Sequence, residues 1–166
     1  MTRAALAALL LLVVTCDRRG DTDRPAPFGV HRWETRAGKY AGKPVDIKVN
    51  MALDSVAGKP PFRHQIAVSV ALREPQQDGL PSQAEWDTLG MVEEQIVATF
   101  VEPRLALHAM RVATDSRCDF FLYAADKQAA AKAAATLVER LAGKGVTCDI
   151  KRDQDWVTYN WYKMWQ

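Results

Sequence analysis

The sequence predicts an α+β fold: a β-α-β-β-α-β sandwich with a β-hairpin in front of it and an aromatic-rich helix behind. Three observations carry that reading. Apolar residues alternate with polar ones over 45–53 and 66–72, the period of strands with one buried face. They recur at spacings of three and four over 86–100 and 130–141, the period of helices lying on a core. The two kinds of segment then follow one another in an order that few topologies accommodate.

Taken in order, GVHRWETRAGKYAGKPVDIKVNMAL reads as a hairpin. Val45, Ile47, Val49, Met51 and Leu53 alternate with Asp46, Lys48, Asn50 and Ala52, and Ala37 to Lys43, with Gly38 and Gly42, supplies the loop. In FRHQIAVSVAL the apolar face is Ile66, Val68, Val70 and Leu72, while Gln65, Ala67, Ser69 and Ala71 are small enough for something to lie close against them. Ser82-Gln83-Ala84-Glu85 is a capping box: the serine oxygen accepts from the third helical amide and Glu85 reaches back. Trp86, Leu89, Val92, Ile96 and Phe100 form the inward stripe of the helix that follows, so Trp86 reads as core.

RLALHAMRVATDSRCDFFLYAAD gives two strands joined at Asp115-Ser116. Asp126 caps a helix packed through Ala130, Ala134, Leu137 and Leu141, Gly143 sits at its left-handed stop, and VTCDIK is the last strand. A β-α-β-β-α-β unit is the pattern of a ferredoxin-like sandwich, two helices on one face of an antiparallel sheet. The tail DQDWVTYNWYKMWQ then brings Trp156, Tyr159, Trp161, Tyr162 and Trp165 into eleven residues. Wound as a helix, it spreads rings over more than half its circumference and cannot bury them all against one sheet.

The N-terminus reads as an export signal. One Arg precedes eleven apolar residues, Ala4 to Val14, a run shorter than the roughly 20 residues that span a bilayer, and small residues close it. Val13-Val14-Thr15-Cys16 resembles a bacterial lipobox, with Thr15 where Gly, Ala or Ser is usual. On that reading residues 1–15 are a signal peptide and Cys16 takes a diacylglycerol group. Residues 16–27, mixed in charge and interrupted by Gly and Pro, form a flexible tether, and 28–166 form a single α+β domain. Asp17 resembles an inner-membrane retention signal. Removal of residues 1–15 takes away Arg3 and no acid, leaving 151 residues with a formal charge of +1. No basic concentration points to nucleic acid, and about 150 residues suffice for one good core.

Little in the chain spells catalysis. His31, His64 and His108 fall in separate segments without metal-ligand spacing, and Cys118 and Cys148 form no CxxC pair. No metal or other cofactor is expected. Ser69 lies inside a strand, no GxSxG elbow or glycine-rich phosphate loop occurs, and the acidic pairs Glu93-Glu94 and Asp153/Asp155 read as solvated. Export permits a disulfide between Cys118 and Cys148. The topology, however, places a strand between them, about 10 Å of separation, where a bridge wants Cα atoms under about 7 Å.

The second face of the sheet offers more. With Asp115-Ser116 as a two-residue turn, Thr114 faces Arg117, Met110 faces Phe121 and His108 faces Tyr123, on the side of Asp119. That arrangement is similar to the aromatic platform of RNA-recognition domains, without their basic, glycine-rich consensus.

PVDIKVNMAL, GLPSQAEWDTLGMVEEQIV, RVATDSRCDFFLYAAD and DQDWVTYNWY, in that order, resemble the bacterial family called domain of unknown function 695, from about Trp33 to Tyr162. Its second half is similar to the protein inhibitor of ribonuclease E, known as regulator of ribonuclease E activity B, whose fold is ferredoxin-like. The shared features fall on Thr114, Arg117, Phe121 and Tyr123 of the hairpin and on Asp155, Trp156 and Tyr159 of the tail, with Ser116 where the family often has Gly. The resemblance implies the fold and a non-catalytic binding role.

The expectation is therefore a cell-envelope lipoprotein facing the periplasm, lipidated at Cys16, that binds an envelope protein or a small ligand. His108, Phe121, Tyr123, Trp161, Tyr162 and Trp165 are the candidate binding surface, and Trp156 and Tyr159 the structural rings. The alternatives are a secreted soluble chain, an enzyme using the open sheet face, and, were the N-terminus not a signal, a cytoplasmic ribonuclease regulator.

Overall fold

The computed structural model describes Phe28 and residues 30–165; the stretches expected to be signal peptide and tether, with Cys16 between them, lie outside the described residues. Strands β1 (Trp33–Tyr40) and β2 (Lys43–Asn50) lead through a 3-10 turn (Met51–Ser55) to β3 (His64–Ala71). Helix α1 (Gln83–Ile96), prolonged by a π turn (Val97–Val101), precedes β4 (Ala106–Thr114) and β5 (Arg117–Ala124). Helix α2 (Lys127–Arg140), β6 (Val146–Arg152) and helix α3 (Val157–Lys163) complete the chain. The strands form one antiparallel sheet in the order β1-β2-β4-β5-β3-β6. The block β4-β5-β3-β6 is the ferredoxin-like arrangement, and β1-β2 widens it at the β4 edge. Among the described residues, no helix is long and apolar enough to cross a membrane.

Two cores result. On one face Ile66, Val68, Val70, Phe120 and Leu122 meet Leu89, Val92, Ile96 and Phe100 of α1 and its π turn, and Ala130, Ala134 and Leu137 of α2. On the other, Val45, Ile47, Val49, Leu107, Met110, Phe121 and Tyr123 meet Leu53, Phe62, Trp156 and Tyr159. Each fully buried aliphatic or Phe side chain contributes roughly 1.5–3 kcal/mol, so both faces add to stability.

Four local details differ from the sequence expectation. The hairpin loop is only Ala41-Gly42, both at positive φ, a turn whose twist matches that of its strands. Strand β1 therefore runs through Gly38, where an added Cβ would lie 2.8 Å from Trp165 Nε1. Met51 and Leu53 leave the strand pattern because the Asn50 side chain accepts from Ala52 N (3.2 Å) and starts a 3-10 turn. Half of the capping box forms: Ser82 Oγ accepts from Glu85 N (3.4 Å), while the Glu85 carboxylate turns away to take Arg73 N (2.5 Å) and Glu74 N (2.8 Å).

The fourth difference bears on the site. Asp115 and Ser116 both take positive φ and make the two-residue turn, and Thr114↔Arg117 and Met110↔Phe121 pair as expected. A β-bulge at Ala109 then shifts the register, pairing Leu107 with Tyr123 and His108 with Leu122. One extra residue turns the following side chains to the opposite face. His108 thus belongs to the helix side of the sheet.

Candidate functional site

The tail closes the sheet face that the sequence left open. Trp156 lies flat on Tyr123, centroids 3.7 Å apart and planes within 9°, and its Nε1 donates to Phe62 O at 2.6 Å. Tyr159 meets Trp156 edge-on (5.4 Å), and its hydroxyl contacts Asn50 O and Asp54 Oδ1, each at 3.0 Å. A Trp and a Tyr can be buried together here because each polar tip finds an acceptor.

Asp153 is the joint. Its Oδ2 accepts from Tyr123 Oη (2.8 Å), Gln65 Nε2 (3.1 Å) and Thr158 N (3.3 Å), and its Oδ1 accepts from Val157 N (2.8 Å). Gln65 Nε2 also reaches Tyr123 Oη at 3.1 Å. One buried carboxylate thereby takes the first two amides of α3, which lack partners within the helix, and ties β3, β5 and the tail together. Reading Asp153/Asp155 as a solvated pair holds for exposed Asp155 and fails for Asp153. It stands three residues ahead of Trp156, the N-cap position of α3, so no cap spacing marked it.

These groups do not form an acid-base centre. Burial pushes the Tyr123 hydroxyl well above the ordinary phenol range, with its bond to Gln65 opposing the shift and the Asp153 carboxylate adding to it. Tyr159 is raised in the same direction, by burial first and then by Asp54. Both protons are held, and both side chains are buried.

The candidate binding residues are consequently divided. Phe121 and Tyr123 are core, so the platform expected from His108, Phe121 and Tyr123 does not exist. His108, turned by the bulge, lies between Trp33 (5.0 Å, edge-on) and Phe120 (6.1 Å), with Nδ1 3.8 Å from Glu93 Oε1. Burial, then the Lys48, His31 and Arg111 charges, lower its pKa to about 3, so it is neutral. Arg111 stacks over Trp86 (4.5 Å) and pairs with Glu93 (3.4 Å) and Asp46 (3.8 Å). Trp86 is thus only half-buried, a partner for a cation at the helix edge.

Of the tail rings, Trp161 is exposed, while Tyr162 and Trp165 are half-buried against the second core. Tyr162 leans on Phe121 (6.2 Å), and Trp165 covers Gly38 with its carbonyl accepting from Arg36 Nη1 (3.1 Å). Tyr40, at the end of β1, meets Trp161 at 5.5 Å and Trp165 at 5.8 Å. The surface that remains open is therefore the rim where β1 and α3 meet, reached by none of the strand-pairing arguments. Cys118 is buried and Cys148 half-buried, paired across the sheet with Val70 and Val68 of the intervening β3, and both thiols are free. Burial raises Cys148 to about 11 and Cys118 further, so neither is a ready thiolate.

The match to the model of the family of unknown function DUF695 runs from residue 31 to residue 162. It takes in every strand, α1, α2 and most of the tail. The chain belongs to the DUF695 family. No curated protein and no solved structure matches it. In this DUF695 domain the tail's inward rings, Trp156 and Tyr159, complete the fold.

Proposed function

We propose that this DUF695 protein is a bacterial cell-envelope lipoprotein, anchored by lipid on Cys16, whose domain works by binding a component of the envelope without catalysis. The observation that carries the binding role is the division of the tail. Its inward rings close the sheet face with every tip hydrogen-bonded, and its outward side leaves Trp161, with Tyr40, in solvent beside half-buried Tyr162 and Trp165. Exposed rings held by a rigid base are suited to contact, since aromatic side chains supply large area at small entropic cost. The groups that could have done acid-base work, Tyr123, Asp153 and His108, are buried. The anchor is supported by the sequence alone: a short apolar run ending in Val13-Val14-Thr15-Cys16.

The anchor is tested by metabolic labelling with an alkynyl fatty acid. The wild-type chain takes the label and fractionates with membranes, and Cys16→Ala does neither. An unlabelled wild-type chain in the cytosol would overturn the reading.

A further inference from the structure

Helix α3 carries apolar side chains on two opposite sides. Tyr159 points at the sheet and is buried, whereas Val157, Trp161 and Met164, at positions i, i+4 and i+7, form an outward stripe 66%, 42% and 69% exposed. Tyr40, 58% exposed, extends the stripe from the end of β1. A surface helix ordinarily turns polar away from its core, so this one presents an apolar face with nothing over it among the described residues. Beside it a groove of about 620 Å³ runs along β1, with Met51, Met164 and Trp165 as apolar wall and Arg36 and Lys163 at its rim.

Three observations say what covers that face. The chain enters the fold on the same side of the sheet, because Phe28 packs edge-on against Phe62 (5.9 Å) within the tail-side core. Residues 16–27 number only twelve, a reach of at most about 40 Å when fully extended, so lipid on Cys16 keeps α3 close to a bilayer at high effective concentration. The charged groups around the stripe are balanced in sign, Arg36 with Glu34 (3.3 Å), Lys43 with Asp115 (2.6 Å) and Lys163 with Asp54 (3.1 Å). Such a rim complements a layer of phosphates and amines better than a strongly charged protein, and Trp and Tyr flanked by long cationic side chains suit the depth of lipid headgroups.

We infer that the outward face of α3, with Tyr40, docks flat on the phospholipid bilayer that holds the lipid anchor. The inference rests on the lipoprotein reading. Docking in this way turns α1 and α2, on the far side of the sheet, away from the membrane.

The test uses the full lipidated chain reconstituted in vesicles of phosphatidylethanolamine and phosphatidylglycerol with brominated acyl chains. A fluorophore is attached through Met164→Cys or, as control, through exposed Lys132→Cys on α2, each in a Cys148→Ser background. The label at 164 is expected to be quenched several-fold more than that at 132, and the double change Val157→Ser, Trp161→Ser to remove the difference. Should Trp161→Ser disturb the fold, Val157→Ser alone, at an exposed site, is expected to reduce it about twofold. Equal quenching at the two positions overturns the inference, as does a protected label at 164 accompanied by a doubled mass, which assigns the stripe to a second copy. Fatty-acid labelling of Cys16 in the same sample reports on the anchor separately. If it is absent, the unlipidated chain carrying Cys16→Ser, so that position 16 takes no fluorophore, gives the docking result by itself when added to the same vesicles.

Discussion

The two faces of the sheet are closed by different chemistry. Under α1 and α2 the contacts are mostly aliphatic, Ile66, Val68, Val70, Leu89, Val92 and Leu137, and their contribution scales with area and carries little direction. Under the tail, closure is by rings whose polar tips must reach particular atoms: Phe62 O for Trp156, Asn50 O for Tyr159, Asp153 for Tyr123. Area alone would let a short helix slide or roll; three directed bonds fix its position and rotation. The outward rings therefore have a defined presentation because the inward ones are specific.

The sharpest way to break the comparison is to remove one large side chain from each face. Trp156→Ala deletes the stack on Tyr123 and orphans Phe62 O, and Leu89→Ala hollows the helix core. The first should cost about 3–5 kcal/mol and the second about 2–5 kcal/mol. Only Trp156→Ala should also free α3 locally, so amide exchange in 157–163 becomes fast while β4 and β5 stay protected. Equal exchange in the two variants would mean that the tail is no separate closure.

Acid should act on the helix side through His108. The folded side chain refuses a proton until about pH 3, whereas the unfolded one takes it near 6.5. Between those values the unfolded state binds more protons, so stability is present above pH 6.5 and is lost as pH falls toward 3. The slope from this group is about 1.4 kcal/mol per pH unit, roughly 3 kcal/mol between pH 6.5 and 4. Urea midpoints of His108→Gln against pH should be flatter than those of the wild type by that amount; parallel curves would show that His108 charges within the fold.

Shortening the tail separates closure from contact. Removal of 161–166 takes away two half-buried rings, Tyr162 and Trp165, and the bond from Arg36 to Trp165 O. A loss of about 2 kcal/mol is expected, visible as a lower melting temperature with the fold retained. From sequence alone all three outer rings read as free, which would leave melting unchanged. Their different burial depends on Gly38 admitting Trp165 to β1.

That example shows what the sequence carried and what it did not. Periodicity located β2, β3, α1 and α2, where alternation or helical spacing records the more deeply buried side, whereas β4 and β5, buried on both faces, show as apolar runs on either side of a turn. The hairpin and its turn located Met110 against Phe121. The bulge at Ala109 left no trace in the apolar pattern, since LHAM reads the same with or without an extra residue, and with it went the placement of His108. The closed sheet face was legible in the small side chains Ala67 and Ser69 on β3 and in Trp156 and Tyr159, which the family resemblance marked as structural. Asp153, Asn50 and Phe62 O matter through partners 30 to 109 residues distant, and no local pattern contains them.

Tyr123→Phe is the smallest of the tests and the one that isolates direction from area. The ring stack on Trp156 survives the change, so buried area hardly alters. Asp153 Oδ2 loses one of its three donors and keeps Gln65 Nε2 and Thr158 N. With two donors remaining, the cost should be near that of one net hydrogen bond, about 1 kcal/mol. If the hydroxyl serves to fix the tail, the variant should open α3 in amide exchange more than its global loss explains. If area alone holds the tail, exchange in 157–163 should slow or quicken only in step with the rest of the sheet, and the proposed contrast between the two faces would fail.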